Sequence, residues 1–191
     1  MLHSRREKDD ASLHEFCFSF LELEFITSAT IATMTQRVVI GTDHAGYALK
    51  EVLKKHLMDK GIDVIDEGTF SEDSVDYPEY GKKVAAVMLT EKIPGVFLGG
   101  SGLGECIAGN KIPGIRAARC TCVGDAVMTR RHNDANMLNM GGRMIDHKEA
   151  TKVLDAFLET AFDGDPDSGE DGERHIRRLK QVHELDGHPY S

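Results

Sequence analysis

Residues 96–105 read Val-Phe-Leu-Gly-Gly-Ser-Gly-Leu-Gly-Glu, and this stretch decides the fold. Its apolar start is typical of a buried strand, and the glycine run after it is typical of a tight turn. The same order recurs along the chain, because short β-rich segments at 37–41, 62–66, 115–120 and 137–140 alternate with segments of helical pattern. Parallel neighbouring strands need crossover connections of this kind. The alternation therefore predicts a parallel sheet with helices on both faces.

Apolar residues at helical spacing mark the helices between these strands. The first helix is predicted from Leu49, Val52, Leu53, His56 and Leu57, and it ends near Gly61. Another begins at Asp146, whose side chain is a suitable N-cap. We predict a loop over 162–172 and a last helix over 173–185. The fold class is α/β, a three-layer Rossmann-like fold with a five-stranded parallel sheet and helices on both faces.

Length, charge and cysteine content limit the classes of function. The 191 residues suffice for about one domain, which we place at 34–191, after an N-terminal extension (1–33) that is disordered or loosely attached. The net charge of −9 argues against nucleic acid as a partner. No apolar run reaches the ~20 residues of a membrane-spanning helix. Four unevenly spaced cysteines favour reduced thiols and a cytoplasmic location, and they do not form a zinc pattern.

Polar residues gather at the ends of the predicted strands, where ligands bind in such folds. Asp43 and His44 follow the first strand, Tyr77 lies in the loop after the second, and Arg143 follows the fifth. His132 and Asn133 precede the fifth strand instead. The gathering of acids, imidazoles, a phenol and a guanidinium favours a binding site over ordinary surface polarity.

The glycine run matches neither of the common nucleotide-binding motifs. It lacks the last glycine of GxGxxG, and residues 104–111 lack the Lys-Ser/Thr pair of a P-loop. Its backbone N–H groups can still face an anion, although a plain tight turn is the alternative. Arg174 and Arg178 are four residues apart on the last predicted helix, so they share a face that suits either a phosphate or a solvated basic surface.

Six motifs, in order over residues 34 to about 185, resemble the type B ribose-5-phosphate isomerases, a family that also includes galactose-6-phosphate and allose-6-phosphate isomerases. They are Gly41-Thr-Asp43-His44-Ala-Gly46, Asp76-Tyr77-Pro78, Gly99-Gly100-Ser101-Gly102-Leu-Gly104-Glu105, Asn110-Lys111-Ile-Pro113-Gly114-Ile-Arg116-Ala117, His132-Asn133-Asp134-Ala-Asn136 and Gly141-Gly142-Arg143. The resemblance implies an aldose–ketose isomerisation through a cis-enediolate, without a metal or organic cofactor. It also implies a homodimer whose subunits share the active sites. Whether dimers pair into tetramers stays open.

The resemblance assigns a role to each matching position. His132 assists opening of the furanose ring, Asp43 contacts the sugar hydroxyls, and Asn133 lies near the developing oxyanion. Ser101 and the N–H groups of Gly100, Gly102 and Gly104 form the anion hole for the enediolate. Tyr77 lines the pocket, and the phosphate is bound by His44, Arg143, Arg174 and Arg178. Of these residues, His132, Asn133 and Arg143 are expected to reach in from the neighbouring subunit.

The proton-transferring base distinguishes this sequence from many family members. Those members place a cysteine directly before the glycine loop, where this chain has Gly99. Another branch has Gly-Gly-Ser-Gly-x-Gly-Glu and uses the glutamate, which indicates Glu105. Burial would raise the pKa of that carboxyl and a helix N-terminus would lower it, so the net direction is open. Cys106 is the alternative base, because a thiolate at a helix start is also activated.

The leading hypothesis is therefore a ribose-5-phosphate isomerase that acts on a small sugar phosphate. A hexose-6-phosphate isomerase of the same family is the first alternative. The second is a sugar-phosphate sensor without catalytic activity, which the missing cysteine keeps open.

Overall fold

The computed structural model describes residues 36–164 and 169–187, so the predicted extension over residues 1–33 lies outside the described residues. Five parallel strands form one sheet: β1 (Arg37–Thr42), β2 (Asp63–Asp66), β3 (Gly95–Gly99), β4 (Ala117–Arg119) and β5 (Met137–Gly141). Their spatial order is β2-β1-β3-β5-β4. The predicted five-stranded parallel sheet is thereby confirmed.

Helices cover both faces of the sheet, as the alternating pattern predicts. They are α1 (Tyr47–Asp59), α2 (Tyr77–Glu91), α3 (Leu103–Gly109), α4 (Val123–Asn133), α5 (His147–Glu159) and α6 (Gly169–Leu185). One core lies under α1, α4 and α5, where Leu53 and Val153 contact strand residues such as Leu138. The other lies under α2, where Val84 packs with Phe97 and Met137. Alternate residues of each buried strand thus serve opposite cores, as the two-residue period of a strand requires.

Helix boundaries differ from the prediction in three places, two of them at predicted site residues. Tyr77, expected in a loop, is the first residue of α2. Asn133, for which the sequence indicated only a position before the fifth strand, is the last residue of α4. The last helix begins at Gly169 and not at 173, so it includes glycines that sequence reading assigned to a loop. Helix ends are the least predictable boundaries, because capping and packing decide them locally.

Candidate active site

The winding of the sheet changes direction between β1 and β3, because β2 lies on one side of β1 and β3 on the other. In open α/β sheets a ligand binds in the crevice at the carboxyl ends of the strands at such a point. Asp43 directly follows β1, and Gly100 directly follows β3. The motif that contains Asp43 and the motif that contains Gly100 therefore lie side by side at this crevice.

A short turn after β1 fixes Asp43 and His44. Asp43 Oδ1 accepts hydrogen bonds from the N–H of Ala45 at 2.9 Å and of Gly46 at 3.2 Å. The N–H of Val75 donates to Nδ1 of His44 at 3.3 Å. In the neutral ring the proton of His44 is therefore on Nε2, which can donate to an anion.

The glycine loop has a backbone that only glycine allows at position 102. Gly102 has a φ of +74°, and a Cβ atom there would lie 2.9 Å from the carbonyl carbon of Met140. Ser101 Oγ accepts a hydrogen bond from the N–H of Leu103 at 3.2 Å. The O–H of Ser101 is therefore able to donate to a ligand.

Arg143 lies beside the glycine loop of its own chain. The Arg143 N–H donates to the carbonyl of Gly100 at 3.1 Å, and the Gly142 N–H donates to that of Gly99 at 2.8 Å. A Cβ atom on Gly100 would be 3.7 Å from Nη1 of Arg143. The expectation that Arg143 enters from a neighbouring subunit is thus wrong for this location, because the backbone after β5 is bonded to the loop after β3.

Glu105 is almost completely buried, with an exposed fraction of 4%. A Cβ atom on Gly99 would lie 2.9 Å from Cγ of Glu105 and closer still to its carboxyl group, so the carboxyl lies directly over Gly99. Burial raises the pKa of Glu105, the carboxylate of Asp43 adds to this by repulsion, and the N–H groups of Glu105 and Gly102 act in the opposite direction. The net pKa is raised. Burial therefore outweighs the helix start, which answers the question that the sequence left open.

Cys106 faces a different environment from Glu105. Its Sγ donates to the carbonyl of Ala117 at 3.4 Å. Burial raises the pKa of Cys106, although Arg119 lowers it in part. A thiol with a raised pKa that donates to a strand carbonyl is poorly activated as a base.

Tyr77 lines the same crevice from α2. A Cβ atom on Gly104 would lie 3.0 Å from Cζ of Tyr77 and 3.2 Å from its hydroxyl oxygen. The phenol ring therefore packs on the glycine loop, one residue before Glu105. The structure brings together Asp43, His44, Tyr77, Gly100, Ser101, Gly102, Gly104, Glu105 and Arg143, which we call the carboxyl-edge cluster.

A second group of predicted residues lies around the end of α4 and on α6. The rings of His132 and His175 stack with centroids 4.5 Å apart and an interplanar angle of 13°. Burial lowers the pKa of His175, and the charges of His132, Arg174 and Arg178 lower it further. Asn133 is the next residue along α4. We call His132, Asn133, Arg174, His175 and Arg178 the amino-edge cluster.

The two clusters lie at opposite edges of the sheet within one chain. Helix α4 follows the carboxyl end of β4 and ends before the amino end of β5, so His132 and Asn133 are at the amino edge. The eleven residues of α4 span about 16 Å at 1.5 Å per residue. Sequence reading placed most of the polar residues at carboxyl ends but put His132 and Asn133 ahead of the fifth strand, and the structure has them there.

Sequence reasoning missed two residues, one that contacts the carboxyl-edge cluster and one that belongs to the amino-edge cluster. Arg119, the last residue of β4, donates from Nε to the carbonyl of Ser101 at 2.8 Å. His175 carries no motif of its own, although its position next to Arg174 on a predicted helix was a signal that could have drawn attention to it. Neither contact follows from spacing along the chain, because each joins elements that are distant in sequence.

Comparison with known proteins finds sugar-phosphate isomerases both by sequence and by structure. Residues 38–182 match the family model described as Ribose/Galactose Isomerase. A ribose-5-phosphate isomerase B of Escherichia coli is 36% identical over 148 residues, which cover 77% of this chain and 94% of that protein. One of Mycolicibacterium paratuberculosis is 42% identical over 147 residues, covering 75% and 87%. The solved ribose-5-phosphate isomerase B of Clostridium thermocellum superimposes with a TM-score of 0.73 at 40% identity, covering 80% of this chain and 98% of that one.

The fold and the polar crevice at its switch point define an α/β enzyme. The chain belongs to the ribose/galactose isomerase family and is an isomerase. Across residues 36–164 and 169–187, the helices are too short or too polar for any of them to cross a membrane. Within the same ranges, no three His, Cys, Asp or Glu side chains are grouped so as to hold a metal ion.

Proposed function

We propose that this isomerase interconverts ribose 5-phosphate and ribulose 5-phosphate through a cis-enediolate, with Glu105 as the base that moves the proton. The observation that carries the proposal is the carboxyl of Glu105, which is buried over Gly99 beside the glycine loop with its pKa raised. A general base works best when its pKa is near the operating pH. The relatives that share this fold are named ribose-5-phosphate isomerases.

The reaction begins with opening of the sugar ring. His132 gives a proton to the ring oxygen and the bond from that oxygen to C1 breaks. As the aldehyde forms, the C1 hydroxyl passes its proton to water, and His132 takes a proton back from water. Asp43 contacts the sugar hydroxyls during this step. No proton is gained or lost overall, and the open aldose then presents an acidic hydrogen at C2.

Isomerisation then transfers one hydrogen between neighbouring carbons. Glu105 removes the C2 proton, and the carbonyl oxygen at C1 becomes an enediolate oxygen. The O–H of Ser101 and the N–H groups of Gly100 and Gly104 stabilise that charge, and Asn133 lies near it. A proton moves from the C2 hydroxyl to the C1 oxygen, and the protonated Glu105 returns its proton to C1, which yields the ketose. His44, Arg143, Arg174 and Arg178 hold the phosphate, and Tyr77 lines the pocket.

The base can be identified by exchange of the C2 proton with solvent. We expect Glu105→Gln to lower the exchange rate from ribose 5-phosphate at least about 10³-fold, because the amide cannot accept the proton. Cys106→Ala is the matched control on the next residue, and it should retain most of the exchange. Wild-type exchange in Glu105→Gln, or loss of exchange in Cys106→Ala alone, would contradict the assignment.

The separation of the two clusters supports a homodimer in which each site takes residues from both subunits. Residues at opposite edges of one sheet can meet only across an interface. Exposed apolar side chains suited to such an interface are Leu103 and Ile107 on α3 and Met128 on α4. Cyclic dimers, in which each subunit completes the other, are the commonest closed assembly.

Mixing two inactive variants tests this sharing. Glu105→Gln and His132→Asn are each expected to be nearly inactive. Equal amounts, allowed to exchange subunits, should regain about a quarter of wild-type activity, because half of the dimers are mixed and each has one intact site. A mixture with no regained activity would show that the two residues act within one chain.

The alternative substrate, a hexose 6-phosphate, should be compared directly with ribose 5-phosphate, because the matching family model names both ribose and galactose isomerases. A larger kcat/KM for ribose 5-phosphate than for a hexose 6-phosphate would support the proposal, and the reverse order would favour the alternative. Binding of both sugars without turnover by the wild-type protein would instead support a sensor. The cytoplasmic location stays a prediction.

A further inference from the structure

Arg119, at the end of β4, contacts the glycine loop that precedes α3. It is half-buried at the end of β4, and its Nε donates to the carbonyl of Ser101 at 2.8 Å. Its neighbours Ala118 and Cys120 pack into the core under α1, α4 and α5. Because strand residues alternate, the side chain of Arg119 points to the opposite face of the sheet, where α3 lies.

One peptide unit separates Arg119 from Glu105. The Ser101–Gly102 peptide is trans, since the single cis bond among the described residues joins Gly68 and Thr69. In a trans peptide the N–H points away from the C=O. The N–H of Gly102 therefore points away from Arg119, and it acts on the carboxylate of Glu105 by favouring the charged form. Gly102 is the N-cap of α3 and Glu105 is the third residue of that helix, the spacing at which a carboxylate can reach back to the N-cap N–H. The peptide therefore lies between the guanidinium and the carboxylate.

We propose that Arg119 is a positioning residue that fixes and polarises the Ser101–Gly102 peptide, and through it orients the carboxylate of Glu105. This inference rests on the proposed role of Glu105 as the base. A hydrogen bond from a charged donor is stronger than a neutral one, and hydrogen bonds in series polarise one another. A donor that is already oriented needs no reorganisation during the reaction.

Other charged or titratable groups also surround Glu105. They come from the end of β1, from α2, from α3 and from the loop after β5, and they are Asp43, His44, Tyr77, Cys106 and Arg143. Asp43 opposes ionisation of Glu105 by repulsion. Loss of Arg119 leaves that repulsion and the burial in place while it weakens the donor that favours the charged form. The pKa of Glu105 should then rise further.

Three substitutions separate the charge of Arg119 from its hydrogen bond. Arg119→Met removes both, Arg119→Gln keeps a donor without a charge, and Arg119→Lys keeps a charged donor. Arg37→Met is the matched control, because Arg37 pairs with Asp63 and Glu91 at the amino edge of β1, away from the loop. Each full-length protein is assayed with ribose 5-phosphate over a range of pH, and its thermal unfolding is recorded.

We expect Arg119→Met to lower kcat about tenfold with KM changed less than about twofold, because the lost interaction acts in the transition state. The acid limb of the kcat/KM profile should move to higher pH. Arg119→Lys should recover most of both effects, Arg119→Gln should lie between, and Arg37→Met should match wild type.

Several results would overturn the inference. One is an unmoved acid limb with wild-type kcat in Arg119→Met, and another is a rise in KM alone. If Arg119→Met does not fold, coincident pH profiles for Arg119→Gln and Arg119→Lys would also refute a role for the charge. Failure here leaves Glu105 as the base, whereas wild-type proton exchange in Glu105→Gln would refute the proposed function itself.

Discussion

The substitution Gly99→Ala should lower kcat/KM strongly and the free energy of unfolding only slightly. A Cβ atom at position 99 would lie 2.9 Å from Cγ of Glu105 and closer to the carboxyl group. Ordinary carbon contacts are about 3.5–4.0 Å, so the carboxyl must move by about 1 Å or more. A displacement of about 1 Å at a reacting group can cost about 10²-fold in rate. We therefore expect kcat/KM for ribose 5-phosphate to fall about 10²-fold, equivalent to about 2.7 kcal/mol of transition-state stabilisation.

The folded state should tolerate Gly99→Ala better than catalysis does, because the displaced group is the end of a flexible side chain. We expect a decrease of about 1 kcal/mol in the free energy of unfolding, measured by denaturant titration. Gly95→Ala is the matched control on the same strand, since its Cβ atom would lie 2.8 Å from Cγ of Met88, far from the crevice. Similar kcat/KM values for the two variants, or wild-type activity in Gly99→Ala, would refute the reasoning.

Two further predictions concern stability. The raised pKa of Glu105 means that the native state holds this proton more tightly than the unfolded chain does, so its contribution to stability is present at low pH and is lost as pH rises through the native pKa. Denaturant titration of Glu105→Gln should therefore show a larger free energy of unfolding than wild type at about pH 8 and a smaller difference near pH 4; an equal difference at both would contradict this. Lys50 is fully buried and bonded to Asp66 at 2.7 and 2.8 Å, so Lys50→Met should lose about 3 kcal/mol. The exposed pair Lys55–Asp59 provides the control, since Lys55→Met should lose no more than about 0.5 kcal/mol, and equal losses would contradict the role of burial.

The fold was predictable because the strands and helices carry signals in residues that are close together in the sequence. Val96, Phe97 and Leu98 form a continuous apolar run, which is what burial on both faces of a parallel sheet requires. The helix α5 was predictable for a similar reason, since the side chain of Asp146 accepts from the N–H of Lys148 at 2.8 Å, as an N-cap should. These signals depend only on residues close together along the chain.

The site was less predictable, because its decisive contacts join distant parts of the chain. Spacing indicated that Glu105 follows the glycine loop, but it could not show whether burial or the helix start controls its pKa. Nor could it show that the ring of His132 stacks on the ring of His175. The contact from Arg119 to Ser101 joins residues 18 apart, and no periodic pattern signals such a contact.

The glycine at position 99 and the glutamate at position 105 depend on each other, because a side chain at 99 would need the space that the carboxyl of Glu105 fills. A cysteine at 99, as the resembling isomerases often have, would extend from a Cβ atom into the space that the carboxyl of Glu105 occupies. The two side chains therefore exclude each other in this backbone. Under the proposed mechanism the base is needed at one position in space, and a chain of this fold could supply it from either end of the loop.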